Sequence, residues 1–313
     1  MKKTLTILGS INADHVISVP HFAKPGETLT GHHYHIAYGG KGANQAVAAA
    51  RLSDENTQVN FIGCIGDDDI GRTMKNAFEQ DGIHTQFIHQ IAHQTTGIAM
   101  IQVAASGENS IVISAGANGC LDENIVEQSR SQIEQADLLL MQLETPLPAV
   151  IKAAQIAKNN GVKVVLNPAP AQKLPDKLLA NLAMITPNET EAEILTGVKV
   201  TDLESAVKSA KIFHQKGIET VLITLGSKGV FVSRYVNHQG QQEIVAGFRV
   251  KAVDTTAAGD TFNGAFLVAL LDGKPLQDAI RFAHAAAAIS VTREGAQPSI
   301  PTRAETLDFL KSI

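Results

Sequence analysis

A run of small and polar residues, Asp254-Thr255-Thr256-Ala257-Ala258-Gly259-Asp260, leads directly into an apolar stretch from Thr261 to Leu271. A helix that starts there leaves backbone N–H groups without intrahelical partners, and its macrodipole favours negative charge. The junction is therefore suited to a phosphate. Asp260 sits beside that anion site, where a carboxylate can take a proton from an attacking hydroxyl. Asp is also a preferred N-cap, and in that role the carboxylate is tied to backbone N–H groups and does no chemistry. The spacing by itself allows both.

Tyr38-Gly39-Gly40-Lys41-Gly42-Ala43-Asn44-Gln45 again uses glycines to open an Ala-rich helix. It is not a Walker A loop, because His35 stands where that motif requires Gly and Gly42 follows Lys41 where it requires Ser or Thr. No complete GxGxxG fingerprint occurs in the chain. Taken alone, the segment reads as a tight helix entry. Thr186-Pro187-Asn188-Glu189-Thr190-Glu191-Ala192-Glu193 places acidic residues in a first helical turn, an ordinary complement to the dipole. Thr224-Leu225-Gly226-Ser227-Lys228-Gly229 follows a strand and suits either a turn or a nucleotide-contacting loop. His32, His33 and His35 invite a metal, but no third convergent ligand accompanies the two that share a face.

The elements that must carry these segments alternate. Asp137 to Gln142 is a short apolar run, Pro146 to Asn160 has helical spacing, and Val162 to Leu166 is the next strand. Thr220 to Thr224 follows a helix at about 202 to 216. Buried strands alternating with amphipathic helices predict a parallel sheet covered on both faces. Two stretches break the rhythm. One runs from about Asp14 to Ala37. The other, from about Thr96 to Ser114, predicts a hairpin turning at Ser106-Gly107-Glu108-Asn109. Together they predict a small inserted sheet, a lid. The last helical signal, Ala304 to Lys311, is read as packing.

Composition narrows the classes. With 313 residues, 44% hydrophobic and 18% charged, the chain can bury one large core carrying an appendage. The net charge is −5 and the 26 Lys and Arg form no basic block, which argues against nucleic acid or a membrane surface as partner. Met1-Lys2-Lys3 before Thr4 to Leu8 imitates a signal peptide, yet the apolar stretch breaks at Gly9-Ser10 and predicts a buried first strand. No run approaches the ~18 apolar residues needed to span a bilayer. Cys64 and Cys120 lack metal-ligand spacing and are expected to be reduced thiols in a cytoplasmic protein.

In order along the chain, these segments resemble the ribokinase or PfkB family of carbohydrate kinases. The resemblance runs from Gly9-Ser10-Ile11-Asn12-Ala13-Asp14 to Glu294-Gly295-Ala296-Gln297-Pro298-Ser299. Two signatures carry it: Gly-Gly-Lys-Gly-Ala-Asn-Gln-Ala at 39–46 and Asp-Thr-x-x-Ala-Gly-Asp at 254–260. It implies a ribokinase-like α/β fold, a single domain over 1–313, with a mainly parallel central sheet flanked by helices. The small β-sheet lid is inserted from about 14–37 and 96–115. It further implies transfer of the γ-phosphoryl group of ATP to the 5-hydroxyl of D-ribose, and a homodimer formed through the lid sheets.

The implied roles are specific. Asn12, Asp14, Gly40, Lys41, Asn44 and Glu144 match the sugar-binding positions, and Asp260 the catalytic base that also touches the sugar. Ala257, Ala258, Gly259 and Asp260 match the anion hole. Asn188, Thr224, Gly226, Gly229, Gly259 and His284 match nucleotide contacts, and Glu191 an indirect magnesium role. Asp254, Thr256, Ser290, Arg293, Gly295 and Ser299 match a potassium site. Two positions depart from the pattern: Ala257 stands where the family usually carries Gly, and Thr256 where an apolar residue is common. A fructokinase or nucleoside kinase is the rival within the class, and a non-catalytic sugar-binding regulator the rival outside it. The polar sugar set disfavours a nucleoside, and the intact Gly259-Asp260 pair disfavours the regulator. A nicotinamide-dependent enzyme lacks its dinucleotide fingerprint.

Overall fold

Along the first strand Leu5 and Ile7 face one side and Thr6 and Leu8 the other, all four buried, so both of its faces must be covered. The computed structural model describes residues 2–236 and 239–313. In chain order the strands are β1 Lys3–Leu8, β2 Asn12–Val19, β3 His32–Gly39, β4 Thr57–Gly66, β5 Ile88–Ile91, β6 Gly97–Ala104 and β7 Asn109–Ser114. They continue as β8 Leu138–Met141, β9 Lys163–Leu166, β10 Met184–Ile185, β11 Thr220–Thr224, β12 Val230–Val236 and β13 Gln239–Val245. Nine of them form one sheet in the order β13-β12-β11-β10-β9-β8-β1-β4-β5. From β11 to β5 every pairing is parallel, and β12 and β13 close one side as an antiparallel pair.

Each face of this sheet has its own core. Leu5 and Ile7 of β1, Val59 and Phe61 of β4 and Leu138 and Leu140 of β8 join one cluster with the helices Lys41–Leu52, Ala258–Leu271 and Leu276–Ser290. Leu8, Ile62, Cys64, Leu139 and Met141 point the other way, against the helices Leu147–Asn159 and Leu203–Gln215. Side chains alternate across a strand, so near-continuous apolar runs are what a doubly covered sheet needs. Phe61 is fully buried at the centre of the first cluster, and deleting such a ring costs about 3–5 kcal/mol.

The remaining strands form a separate four-stranded sheet, β3-β2-β6-β7. It is the expected lid sheet. β2 pairs antiparallel with β3 and parallel with β6, and β6–β7 is the predicted hairpin, turning through Gly107 at φ 86°. Large apolar side chains stand exposed on it, among them Tyr34, Met100, Val112 and Ile113, more than on the central sheet, where Tyr235 and Ile244 of the antiparallel edge pair are exposed.

Two glycines bring the helix starts together. Gly264 faces the helix Lys41–Leu52 so closely that a Cβ would lie 2.7 Å from both Ala48 Cβ and Ala49 N, a spacing no side chain tolerates. Gly40, at φ 89°, joins β3 to that helix, and its missing side chain lets Asn12 N and Ser10 O approach. The N-termini of two helices therefore open onto one cleft.

Candidate active site

The cleft lies beyond the carboxyl ends of the parallel strands, where open α/β sheets bind their ligands. The short link from β1 to the lid carries Ser10, and β2 places Asn12 and Asp14. The helix Lys41–Leu52 contributes Lys41, Asn44 and Gln45 from its first turn and a half. The loop after β8 carries Gln142 and Glu144, and the helix Ala258–Leu271 brings Asp260.

Hydrogen bonds knit this set together. Glu144 Oε2 accepts from Ser10 Oγ at 2.5 Å and from the Lys41 backbone N–H at 2.9 Å. Asn12 Oδ1 accepts from Asn118 Nδ2 at 2.8 Å, and Asn118 also bonds the N–H and C=O of Ile11. Asn12 is thus held by its oxygen, leaving its own amide protons for another partner. Burial opposes the charge on Lys41, but the carboxylates of Asp260, Glu144 and Glu191 outweigh it and hold the ammonium above its ordinary pKa. Asp14 differs: burial first, then repulsion from Glu144, pushes its carboxyl up to about 7.

Asp260 is not the helix cap. The cap position is Ala257, without a side-chain bond, and Asp260 lies three residues further on. Its carboxylate is buried and accepts from Asn44 Nδ2 at 3.0 Å and Gln45 Nε2 at 2.8 Å. The capping alternative left open by the sequence is not realised, because the side chain turns into the cleft rather than back along the chain. Burial raises its carboxyl above the ordinary range, against the pull of Lys41, Gln45 and Asn44, with Glu144 adding to the rise.

Around it the helix entry is tight. Ala257 adopts φ 58°, the left-handed region, which explains why glycine suits this position and costs an Ala about 1 kcal/mol. The Ala258 N–H donates to Thr255 O at 3.2 Å. The Gly259 and Asp260 N–H groups, in the first turn, have no carbonyl within the helix to bond and face outward as donors.

The segments matched to the nucleotide stand beside this floor. Asn188 and Thr224 form a parallel bridge, and Gly226 and Gly229 flank a tight turn closed by Leu225 N–H on Gly229 O at 2.8 Å. Asn188 and Glu191 form a reciprocal capping box at 2.8 Å each way, so one Glu191 oxygen is committed to the backbone. Burial lifts the Glu191 carboxyl; the Asn188 bond and Lys41 oppose this, and Asp260 adds to it. His284 packs 5.4 Å from the Phe262 ring, and burial lowers its pKa against the opposing bond to the Val245 carbonyl. Its Nε2 is buried without a partner among the described residues.

The loops matched to a monovalent cation are tied to each other. Asp254 accepts from the Thr256 N–H and hydroxyl at 2.9 and 2.6 Å, and from the Gly295 N–H at 2.9 Å. Ser290 and Ser299 hydroxyls donate to Ala287 O and Ala296 O, and Arg293 turns outward to Glu305 at 2.6 Å. Among the described residues no group of three His, Cys, Asp or Glu is placed to hold a metal. His33 and His35 lie exposed on β3.

Sequence reasoning passed over several members of the constellation. Gln45 appears inside the glycine motif without a role, and Ser10, Asn118, Gln142 and Asn167 carry no local signal at all. What finds them is long-range: each contacts the site from 97 or more residues away, as Gln142 does with Gln45 and Asn118 with Ile11.

Comparison with known proteins gives a consistent result. A family model described as pfkB family carbohydrate kinase matches residues 2–303. A ribokinase of Haemophilus influenzae is 68% identical over 311 residues, covering 99% of each chain. A deoxyribokinase of Salmonella typhimurium is 35% identical over 308 residues, covering 98% of each. Among solved structures, Arabidopsis thaliana ribokinase complexed with ribose and ATP superposes with a TM-score of 0.92 at 34% identity, over 99% of each chain.

Proposed function

The chain belongs to the pfkB family of carbohydrate kinases, and on that premise we propose that it transfers the γ-phosphoryl group of ATP to the 5-hydroxyl of D-ribose. The observation that carries this is the placement of Asp260: a buried carboxylate at the mouth of a helix N-terminus, facing Lys41 and Glu144. Its chemistry needs a base and an anion hole side by side, and both come from one helical turn.

In the reaction, the 5-hydroxyl oxygen attacks the γ-phosphorus in line, the bond to the β–γ bridging oxygen breaks, and the hydroxyl proton passes to Asp260. The Gly259 and Asp260 N–H groups face the transferring phosphoryl oxygens, where fixed donors are worth most. Asn12, Asp14, Gly40, Lys41, Asn44 and Glu144 hold the sugar, with Asp14 accepting from hydroxyls. Asn188, Thr224, Gly226, Gly229 and His284 hold the nucleotide, and the unpartnered Nε2 of His284 fits that role. Glu191, with one oxygen left outside the capping box, would help hold the magnesium that accompanies ATP, and the ion would neutralise phosphate charge. Potassium suits the oxygen-rich loops of Asp254, Thr256, Ser290, Arg293, Gly295 and Ser299, and would order the anion hole they flank.

Two copies pair through their lid sheets, which accounts for the exposed Tyr34, Ile36, Met100, Val112 and Ile113. No helix of the described residues is long and apolar enough to cross a membrane. An ATP-coupled assay across D-ribose, 2-deoxy-D-ribose, D-fructose and adenosine, with potassium or sodium at matched ionic strength, tests the reading. D-ribose with potassium should give the highest kcat/KM; a higher value for any other acceptor overturns the substrate, and equal rates in the two salts overturn the potassium role. Light scattering at micromolar protein tests the dimer.

A further inference from the structure

Behind Asp260 lies a chain of buried amides that no sugar or nucleotide role explains. Gln45 is fully buried, and its Nε2 divides its two hydrogens between Asp260 Oδ1 at 2.8 Å and Asn167 Oδ1 at 3.0 Å. Its Oε1 accepts from Gln142 Nε2 at 2.6 Å. Three bonds therefore fix the plane of one amide, with no freedom left to rotate away from the carboxylate. Asn167 is itself anchored, donating to Thr186 O at 3.0 Å. The Thr186 hydroxyl donates to Asn263 Oδ1 at 2.7 Å, and Asn263 Nδ2 donates to Gly259 O at 2.8 Å. The run begins at the carboxylate and ends on the carbonyl of the neighbouring residue in the helix entry.

We propose that Gln45, seated by Gln142 and Asn167, is a positioning residue that aims the Asp260 carboxylate and keeps it ionised as the base. This rests on the reading of Asp260 as base. An N–H donated to a carboxylate favours the charged form. In so buried a place the charge has few other supports: the Lys41 ammonium and the Asn44 amide assist, while Glu144 and Glu191 oppose. Gln45 neither opens onto the cleft nor carries charge, so its contribution is orientation and proton affinity, separate from binding.

The test is Gln45→Met, which keeps the bulk and removes both donors. We expect kcat to fall roughly tenfold to a hundredfold, the scale of a misaimed reacting group, with the KM for ribose and ATP within threefold. The acidic limb of the kcat–pH profile should move up by about one unit, because the carboxylate loses a donor. A residue that only packs would lower melting temperature and leave that limb in place. An unmoved limb with kcat within twofold overturns the inference. If Gln45→Met does not fold, Asn167→Ala removes the anchor but not the amide. It should lower kcat by roughly threefold to tenfold at unchanged KM, and wild-type kcat there overturns the inference equally. Asp260→Asn separates the two claims. If that variant is inactive while Gln45→Met is normal, only the role of Gln45 fails. If it stays active, Asp260 is not the base and both fail.

Discussion

The floor and the cover of this cleft hold their carboxylates in opposite ways. Asp260, on the floor, is 7% exposed and receives two side-chain amides whose own positions are fixed by further buried partners. Asp14, on the lid, sits in a sheet with exposed apolar side chains on its strands, and no hydrogen bond reaches its carboxylate among the described residues. One group is finished before any ligand arrives, whereas the other is left short of partners. Burying a polar group without partners is costly, and a ligand that supplies the missing donors recovers that cost on binding. On the mechanism proposed above, the contrast ties rate to Asp260 on the floor and makes Asp14 on the cover a recognition group.

The strongest challenge to that division is Asp260→Asn. Loss of the base should lower kcat by roughly a hundred- to ten-thousand-fold, about 3 to 5 kcal/mol of barrier. Ribose affinity by calorimetry should persist. Near-native kcat would end the mechanism proposed here. Asp14→Ala should instead act on capture, raising ribose KM roughly ten- to a hundredfold, the worth of a hydrogen bond or two to a charged acceptor. An unchanged KM with reduced kcat would reverse the assignment of lid and floor.

A gentler probe is pH. The folded Asp14 carboxyl titrates at about 7, above its ordinary 3.8. Its contribution to apo-protein stability is therefore complete below about pH 3.8 and lost as pH rises through about 7. If ribose takes the charged acceptor as proposed, it should bind more weakly as pH falls below about 7, by up to about tenfold per unit. Titration calorimetry and melting curves at about pH 6 and about pH 8 check both signs, and Asp14→Asn should flatten both. The smallest effect expected is at Ala257, where φ is 58°. Ala257→Gly should relieve the left-handed strain and gain at most about 1 kcal/mol, offset in part by the freer unfolded chain. Melting temperature reads this out, and a loss above about 1 kcal/mol would mean that the methyl group packs against something the entry needs.

Much of this was legible in the sequence. β8, β9 and β11 stand within a residue or two of the apolar runs that announced them, as does the β6–β7 hairpin, because period and turn chemistry are local signals. The glycine motif and the 254–260 segment pointed to two helix starts, and both are there. Less legible was what the side chains do at those starts. Whether Asp260 caps its helix depends on Asn44 and Gln45, 216 and 215 residues away. The Asn188–Glu191 pair looked like a dipole complement or a magnesium contact and is also a capping box, since one carboxylate has oxygen enough for two partners. Asn118 had no signal, because an amide that fastens Ile11 and Asn12 looks like any loop asparagine until the chain returns to it.

The lid is joined to the floor by very little chain. β1 ends at Leu8 and β2 begins at Asn12, while β3 ends at Gly39 and the helix that carries Lys41, Asn44 and Gln45 begins at Lys41, with only Gly40 between. Gly40 lies in the second joint and Asn12 at the end of the first, and both are among the residues proposed to hold the sugar. On that proposal a lid cannot be exchanged between relatives as a cassette, because two of the cuts would fall inside the sugar site. Breeding a new specificity into this scaffold then means changing residues along the strands while conserving the seams, since recombination at the boundaries of the small sheet would divide the residues proposed to grip the sugar.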